Sequence, residues 1–190
     1  FSDASGFTFV IVGSVKPEEL KPLVEKYLGS LPSLNKNEKW VNTGVTYPKG
    51  KVEKTIRKGV EPKAAVLLRF NTTFEYNRNN RNEVSALSKL FNIRLREVLR
   101  EDKSGVYGVS CWSSPKHYPA GNLETSIYFG CSPENVDMLI DAAWGVLNEI
   151  KQNVCDEKNL VKVKETALRE RESGVKENQF WLRTISSSSE

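Results

Sequence analysis

The chain has one histidine, His117, in a loop flanked by Pro115 and Pro119. No second His and no Cys stands at ligand spacing from it, which argues against any zinc site built by this chain alone. The three cysteines, Cys111, Cys131 and Cys155, cannot all pair and form no C-x-x-C, so a disulfide framework is not expected. Cys111 and Cys131 fall in strand-like runs and read as small buried hydrophobes. No apolar run approaches the length of a membrane-spanning helix. No glycine-rich phosphate loop, no G-x-S-x-G elbow and no secretory leader is visible. Charge of one sign is also missing: 28 basic against 24 acidic residues leave +4, well mixed along the chain. The densest basic cluster, Arg78 to Arg81, alternates with Asn and reads as a solvated helix start. Without a basic–aromatic stripe a nucleic-acid partner is not expected.

What remains is an ordinary globular composition, 38% hydrophobic and 27% charged. Phe7–Gly13 reads as a short apolar strand. Pro17-Glu18-Glu19 opens a helix whose apolar face is Leu20, Leu23, Val24 and Tyr27, with Gly29 ending it. A polar connection covers residues 32–50. Lys51–Lys58 alternates apolar and charged and reads as a half-exposed strand, and the continuous apolar run Ala64–Phe70 reads as a central strand. A helix follows, with Val84, Leu87, Leu90, Phe91, Leu95 and Val98 on one face. Val106–Trp112 and Leu123–Cys131 read as an antiparallel hairpin with a long loop. Ser132-Pro133-Glu134 starts the next helix with a hydroxyl cap, and Asp156 caps a charge-rich one after it. Paired strands followed by helices predict an α+β fold, a mainly antiparallel sheet with helices packed on one face.

The most informative stretch joins the helix to the hairpin: Leu99-Arg100-Glu101-Asp102-Lys103-Ser104-Gly105-Val106-Tyr107-Gly108. Arg100 and Tyr107 lie on either side of a turn, so both side chains can point into one space. A guanidinium and a phenolic O–H converging there suit a carbonyl or a developing oxyanion. The same spacing also fits an Arg on a helix surface and a Tyr packed in a sheet. Glu97, Glu101 and Asp102 read as solvated carboxylates at a helix end. No self-sufficient catalytic constellation is present.

Taken in order, several segments resemble the insulinase/pitrilysin family of zinc metallopeptidases: Phe9-Val10-Ile11-Val12-Gly13, Pro17 through Pro32, Lys58-Gly59-Val60-Glu61-Pro62, Leu99-Arg100-Glu101, Gly105-Val106-Tyr107-Gly108-Val109, and Asn178-Gln179-Phe180-Trp181-Leu182. The resemblance covers nearly the whole chain. It implies the LuxS/mitochondrial-processing-peptidase-like metallohydrolase fold. It also implies that residues 1–190 are one α+β domain of a longer protein: residues 1–31 an opening strand and helix, 32–50 a connection, 51–185 the main sheet and helices. By the same resemblance the C-terminal end is expected to stop before the family's last helices.

Members of this family close two halves around a peptide, and the first half carries the zinc motif H-x-x-E-H. None of that motif is here. The resemblance therefore implies a non-catalytic domain that binds peptide substrate through Arg100 and Tyr107. Its partner is the N-terminal zinc-bearing half of the same protein. Zinc is expected in the full-length protein and not in this segment, which alone should cleave nothing. The alternatives are a structural or assembly member of the core-protein kind, and the second domain of a half-sized subunit. The wording around Tyr107 is closest to the last domain of the long bacterial enzymes, which leads us to expect a bacterial periplasm or cell envelope.

Overall fold

The computed structural model describes residues 2–36, 39–102, 106–153 and 156–189. By its contacts the chain divides into two compact units, one of residues 1–43 with 168–190 and one of residues 44–167.

The larger unit is a three-stranded antiparallel sheet covered on one face by helices. Its strands are β1 (Ala64–Thr73), β2 (Val106–Lys116) and β3 (Asn122–Cys131), in the spatial order β1-β3-β2. The predicted pairing of Val106–Trp112 with Leu123–Cys131 is present, with Cys111 opposite Ile127 and Val109 opposite Phe129. Period-two alternation sets the two faces. Cys111, Ile127, Phe129 and Cys131 point to the core, where α2 (Arg78–Leu95) and α3 (Val136–Gln152) supply Phe91, Leu95, Leu139, Ala143 and Val146. Phe70, on the same face of β1, meets Trp144 edge-on at 5.2 Å. The long hairpin loop turns at Gly121, whose backbone passes so close to the Phe74 carbonyl that a Cβ there would collide with it. Both Cys111 and Cys131 are buried free thiols, as their strand positions suggest, and burial pushes the Cys111 pKa up to about 11.

Four expectations about the elements need correction. Lys51–Lys58 and Phe7–Gly13 are not strands. Their patterns fit strands, but a strand also needs a neighbour to take its N–H and C=O groups, and neither segment is laddered to any described residue. β1 lies at an edge of the described sheet rather than at its centre, and β3 is the strand enclosed on both sides. The hydroxyl of Ser132 makes no capping bond; a short 3-10 turn, Pro133–Asn135, leads into α3 instead. By contrast Asp156 caps α4 (Glu157–Gly174) as expected, its Oδ1 accepting from the Asn159 N–H at 2.6 Å. The last described helix is α5 (Asn178–Ser189). Cys155 and Lys103–Gly105 lie outside the described residues.

The smaller unit contains α1 (Pro17–Tyr27), which starts at the predicted proline, and α5. Its N-terminal end is tied by one carboxylate. Asp3, only 8% exposed, accepts from the Ser5 hydroxyl at 2.7 Å and from the backbone N–H groups of Leu34 and Lys36 at 2.9 Å each. Asn35, between those two donors, has φ +52°, a left-handed conformation that Asn tolerates and that lets both N–H groups face one anion. The Ser5 hydroxyl bond and then the Leu34 N–H hold the Asp3 carboxyl well below its ordinary 3.8. A folded-state pKa below the unfolded one adds stability above the ordinary value, and that stability is lost as pH falls through the folded value. Wild-type melting temperature should therefore exceed that of Asp3→Asn at neutral pH, with the gap closing below about pH 4. Parallel melting-temperature curves from pH 7 to 2 would remove Asp3 from this role.

Candidate functional site

Arg100 and Tyr107 both belong to the larger unit. α2 ends at Leu95 and continues as a π-helical turn, Arg96–Asp102, a feature that sequence periodicity does not show. Such wide turns inside helices recur at functional sites. Here the turn buries Leu99 completely while Arg100, the next residue, is exposed. Three ion-pair contacts fasten the turn. Arg94 Nη1 donates to Glu97 Oε2 at 2.6 Å and Arg94 Nη2 to Glu149 Oε1 on α3 at 2.8 Å, and Lys162 Nζ on α4 donates to Glu97 Oε1 at 3.2 Å. Glu97 is thus a half-buried structural carboxylate rather than a solvated one. Partial burial pushes its pKa up, but the bonds from Arg94 and Lys162 outweigh this and hold it below the usual value. The side chains of Glu101 and Asp102 lie outside the description.

Tyr107 stands at an irregularity in the sheet. Val106 pairs with Cys131 and Gly108 with Gly130, so Tyr107 is an extra residue on β2. A bulge of this kind re-aims a side chain. The Tyr107 ring is 68% exposed, with Cδ2 only 3.6 Å from where a Cβ would stand on Gly130. A tyrosine packed into the sheet core is therefore not what the fold contains. Neither the Tyr107 hydroxyl nor the Arg100 guanidinium has a hydrogen-bond or ion-pair partner among the described residues. Both donor groups are exposed, Arg100 beside the buried Leu99 and Tyr107 beside the half-buried Val106.

The sheet face away from the helices adds side chains to which the sequence assigned no use. Leu67, Trp112 and Tyr128 are each between 42% and 49% exposed there. At the far end of this face Tyr47 Oη donates to Glu124 at 3.1 Å, Lys116 Nζ donates to Tyr47 Oη at 3.1 Å, and Arg69 lies 3.4 Å from Glu124. His117 does not join any metal-like cluster; it stacks on Tyr76 with ring centroids 5.0 Å apart. Among the described residues no three of His, Cys, Asp and Glu come together in a way that could hold a metal ion.

Residues 2–167 match the family described as the Peptidase M16 inactive domain, and the chain belongs to that family. The insulinase/pitrilysin resemblance is thereby borne out. The chain is 31% identical over 163 residues to the probable zinc protease PqqL of Haemophilus influenzae, covering 85% of this chain and 17% of that protein. It is 30% identical over 169 residues to the probable zinc protease PqqL of Escherichia coli, covering 81% and 18%. The chain thus spans less than a fifth of the length of these curated relatives. Among solved structures, the periplasmic protease PqqL from Escherichia coli superposes with a TM-score of 0.70 at 24% identity, over 93% of this chain and 19% of that one. The first half of the same protease superposes with a TM-score of 0.58 at 22% identity, over 93% and 40%. These two likenesses establish the α+β fold.

Proposed function

We propose that this domain holds the peptide substrate of a zinc-dependent metalloendopeptidase and takes no part in bond cleavage through a metal of its own. The observation that carries this reading is the pair itself: Arg100 on a π-turn and Tyr107 on a bulge, both exposed and both without a partner among the described residues. An exposed guanidinium offers a fork of donors, and the phenol offers one more. Together they fit main-chain carbonyl oxygens of an extended peptide, and they strengthen as charge develops on the oxygen of the attacked carbonyl. The exposed Leu67, Trp112 and Tyr128 would lie alongside peptide side chains. The cleaving groups belong to the N-terminal half of the same protein, where zinc is bound. Relatives named as zinc proteases, and the family's description as an inactive domain, support this division of labour. The description of the Escherichia coli relative as periplasmic supports a periplasmic or cell-envelope setting.

The test is peptide cleavage by the full-length protein carrying Arg100→Ala or Tyr107→Phe. Loss of kcat/KM without loss of folded protein supports the reading. Wild-type turnover in both variants overturns it and leaves the assembly role.

A further inference from the structure

We infer that Asn92 is a positioning residue for the substrate-holding pair. It sets how the helix that delivers Arg100 lies against the strand that carries Tyr107. This inference rests on the reading of that pair given above.

Asn92 sits on α2, eight residues before Arg100, and its amide reaches β2. Nδ2 donates to the Cys111 carbonyl at 2.6 Å, and Oδ1 accepts from the Cys111 N–H at 2.8 Å. Nδ2 also donates to the Ser88 carbonyl one turn back, at 2.8 Å. One side chain thus does for an edge strand what a neighbouring strand would do, satisfying both backbone groups of a single residue. Cys111 is four residues beyond Tyr107 on the same strand. A second link runs parallel to the first: Ser88 Oγ to Ser113 Oγ at 2.8 Å, and Ser113 Oγ to Thr125 Oγ1 at 2.9 Å.

Apolar packing between α2 and the sheet is non-directional and tolerates small slides. A bidentate amide does not, because both of its bonds fail together when the helix shifts along the strand. Tyr107 is placed by a bulge and Arg100 by a π-turn, both departures from regular geometry. Their separation therefore depends on how α2 is registered against β2. Asn92 fixes that register without touching the space the peptide would occupy. A misplacement of about 1 Å far from the chemistry can cost a hundredfold in rate.

The experiment is a double-mutant cycle in the full-length protein, read as peptide-cleavage kcat/KM per folded molecule beside the melting temperature. Asn92→Ala should lower kcat/KM by roughly tenfold to a hundredfold. In a Tyr107→Phe background it should cost no more than about twofold, because a misaligned pair and a broken pair fail alike. Asn92→Asp keeps the shape and the acceptor but loses the donor to Cys111. It should fall between wild type and Asn92→Ala, and it carries the test if the alanine variant does not fold.

Multiplicative losses in the cycle, or a lowered melting temperature with unchanged turnover per folded molecule, would show that Asn92 is only structural. If Tyr107→Phe and Arg100→Ala are both silent, the substrate-holding reading fails. If Tyr107→Phe costs activity and Asn92→Ala does not, the inference about Asn92 alone fails.

Discussion

Tyr107→Phe in the full-length protein should lower kcat/KM for peptide cleavage by roughly tenfold to a thousandfold while the melting temperature stays at its wild-type value. The substitution removes one oxygen. Because the hydroxyl has no partner among the described residues, its loss leaves no orphaned group behind. The ring keeps its place over Gly130, so packing is unchanged. The whole effect then falls on whatever the hydroxyl meets when peptide is present. If that contact tightens in the transition state the loss appears in kcat; if it only anchors the peptide it appears in KM. Arg100→Ala should behave alike, since the guanidinium is also exposed and has no partner among the described residues. A tyrosine that served the sheet would give the opposite result, a lower melting temperature and normal turnover from the folded fraction.

The largest loss of stability should come from the residue next door. Leu99→Ala removes a completely buried side chain from the π-turn, where it packs in the same cluster as Leu95, Phe129 and Leu139. Deleting a core leucine costs about 2–5 kcal/mol, depending on how far the cavity collapses. For a domain of ordinary stability that is a large share of the total. Chemical denaturation should show a lower midpoint. Activity should fall as well, because the turn that Leu99 anchors is the one that presents Arg100. Two adjacent residues thus predict opposite signatures, stability for Leu99 and turnover for Arg100. Equal melting temperatures for Leu99→Ala and wild type would mean that the π-turn is not anchored as described.

Much of this was legible in the sequence where the signal is local. Val106–Trp112 and Leu123–Cys131 were legible as a hairpin, and the apolar stripe of α2 named its core side. The turn between a helix and a strand let Arg100 and Tyr107 be read as a pair. What was not legible depends on partners distant in the chain. Lys51–Lys58 has a strand's pattern, but pairing is not encoded in one segment. The bulge at Tyr107 exists only relative to the register of β3. Asn92 reads in sequence as one more polar residue on a helix, and its role appears only when Cys111 is brought against it. Glu97 likewise looks solvated until Arg94 and Lys162 are seen around it. Beyond the residues themselves, the tie from the pair to peptide binding came from the order of several motifs together.

The most direct measurement is a structure of the full-length protein with a non-cleavable peptide bound. The account predicts the Arg100 guanidinium and the Tyr107 hydroxyl within about 3.2 Å of main-chain oxygens of that peptide, with Asn92 still bridging to Cys111. A peptide seated elsewhere, with Arg100 and Tyr107 covered by other parts of the protein, would contradict it.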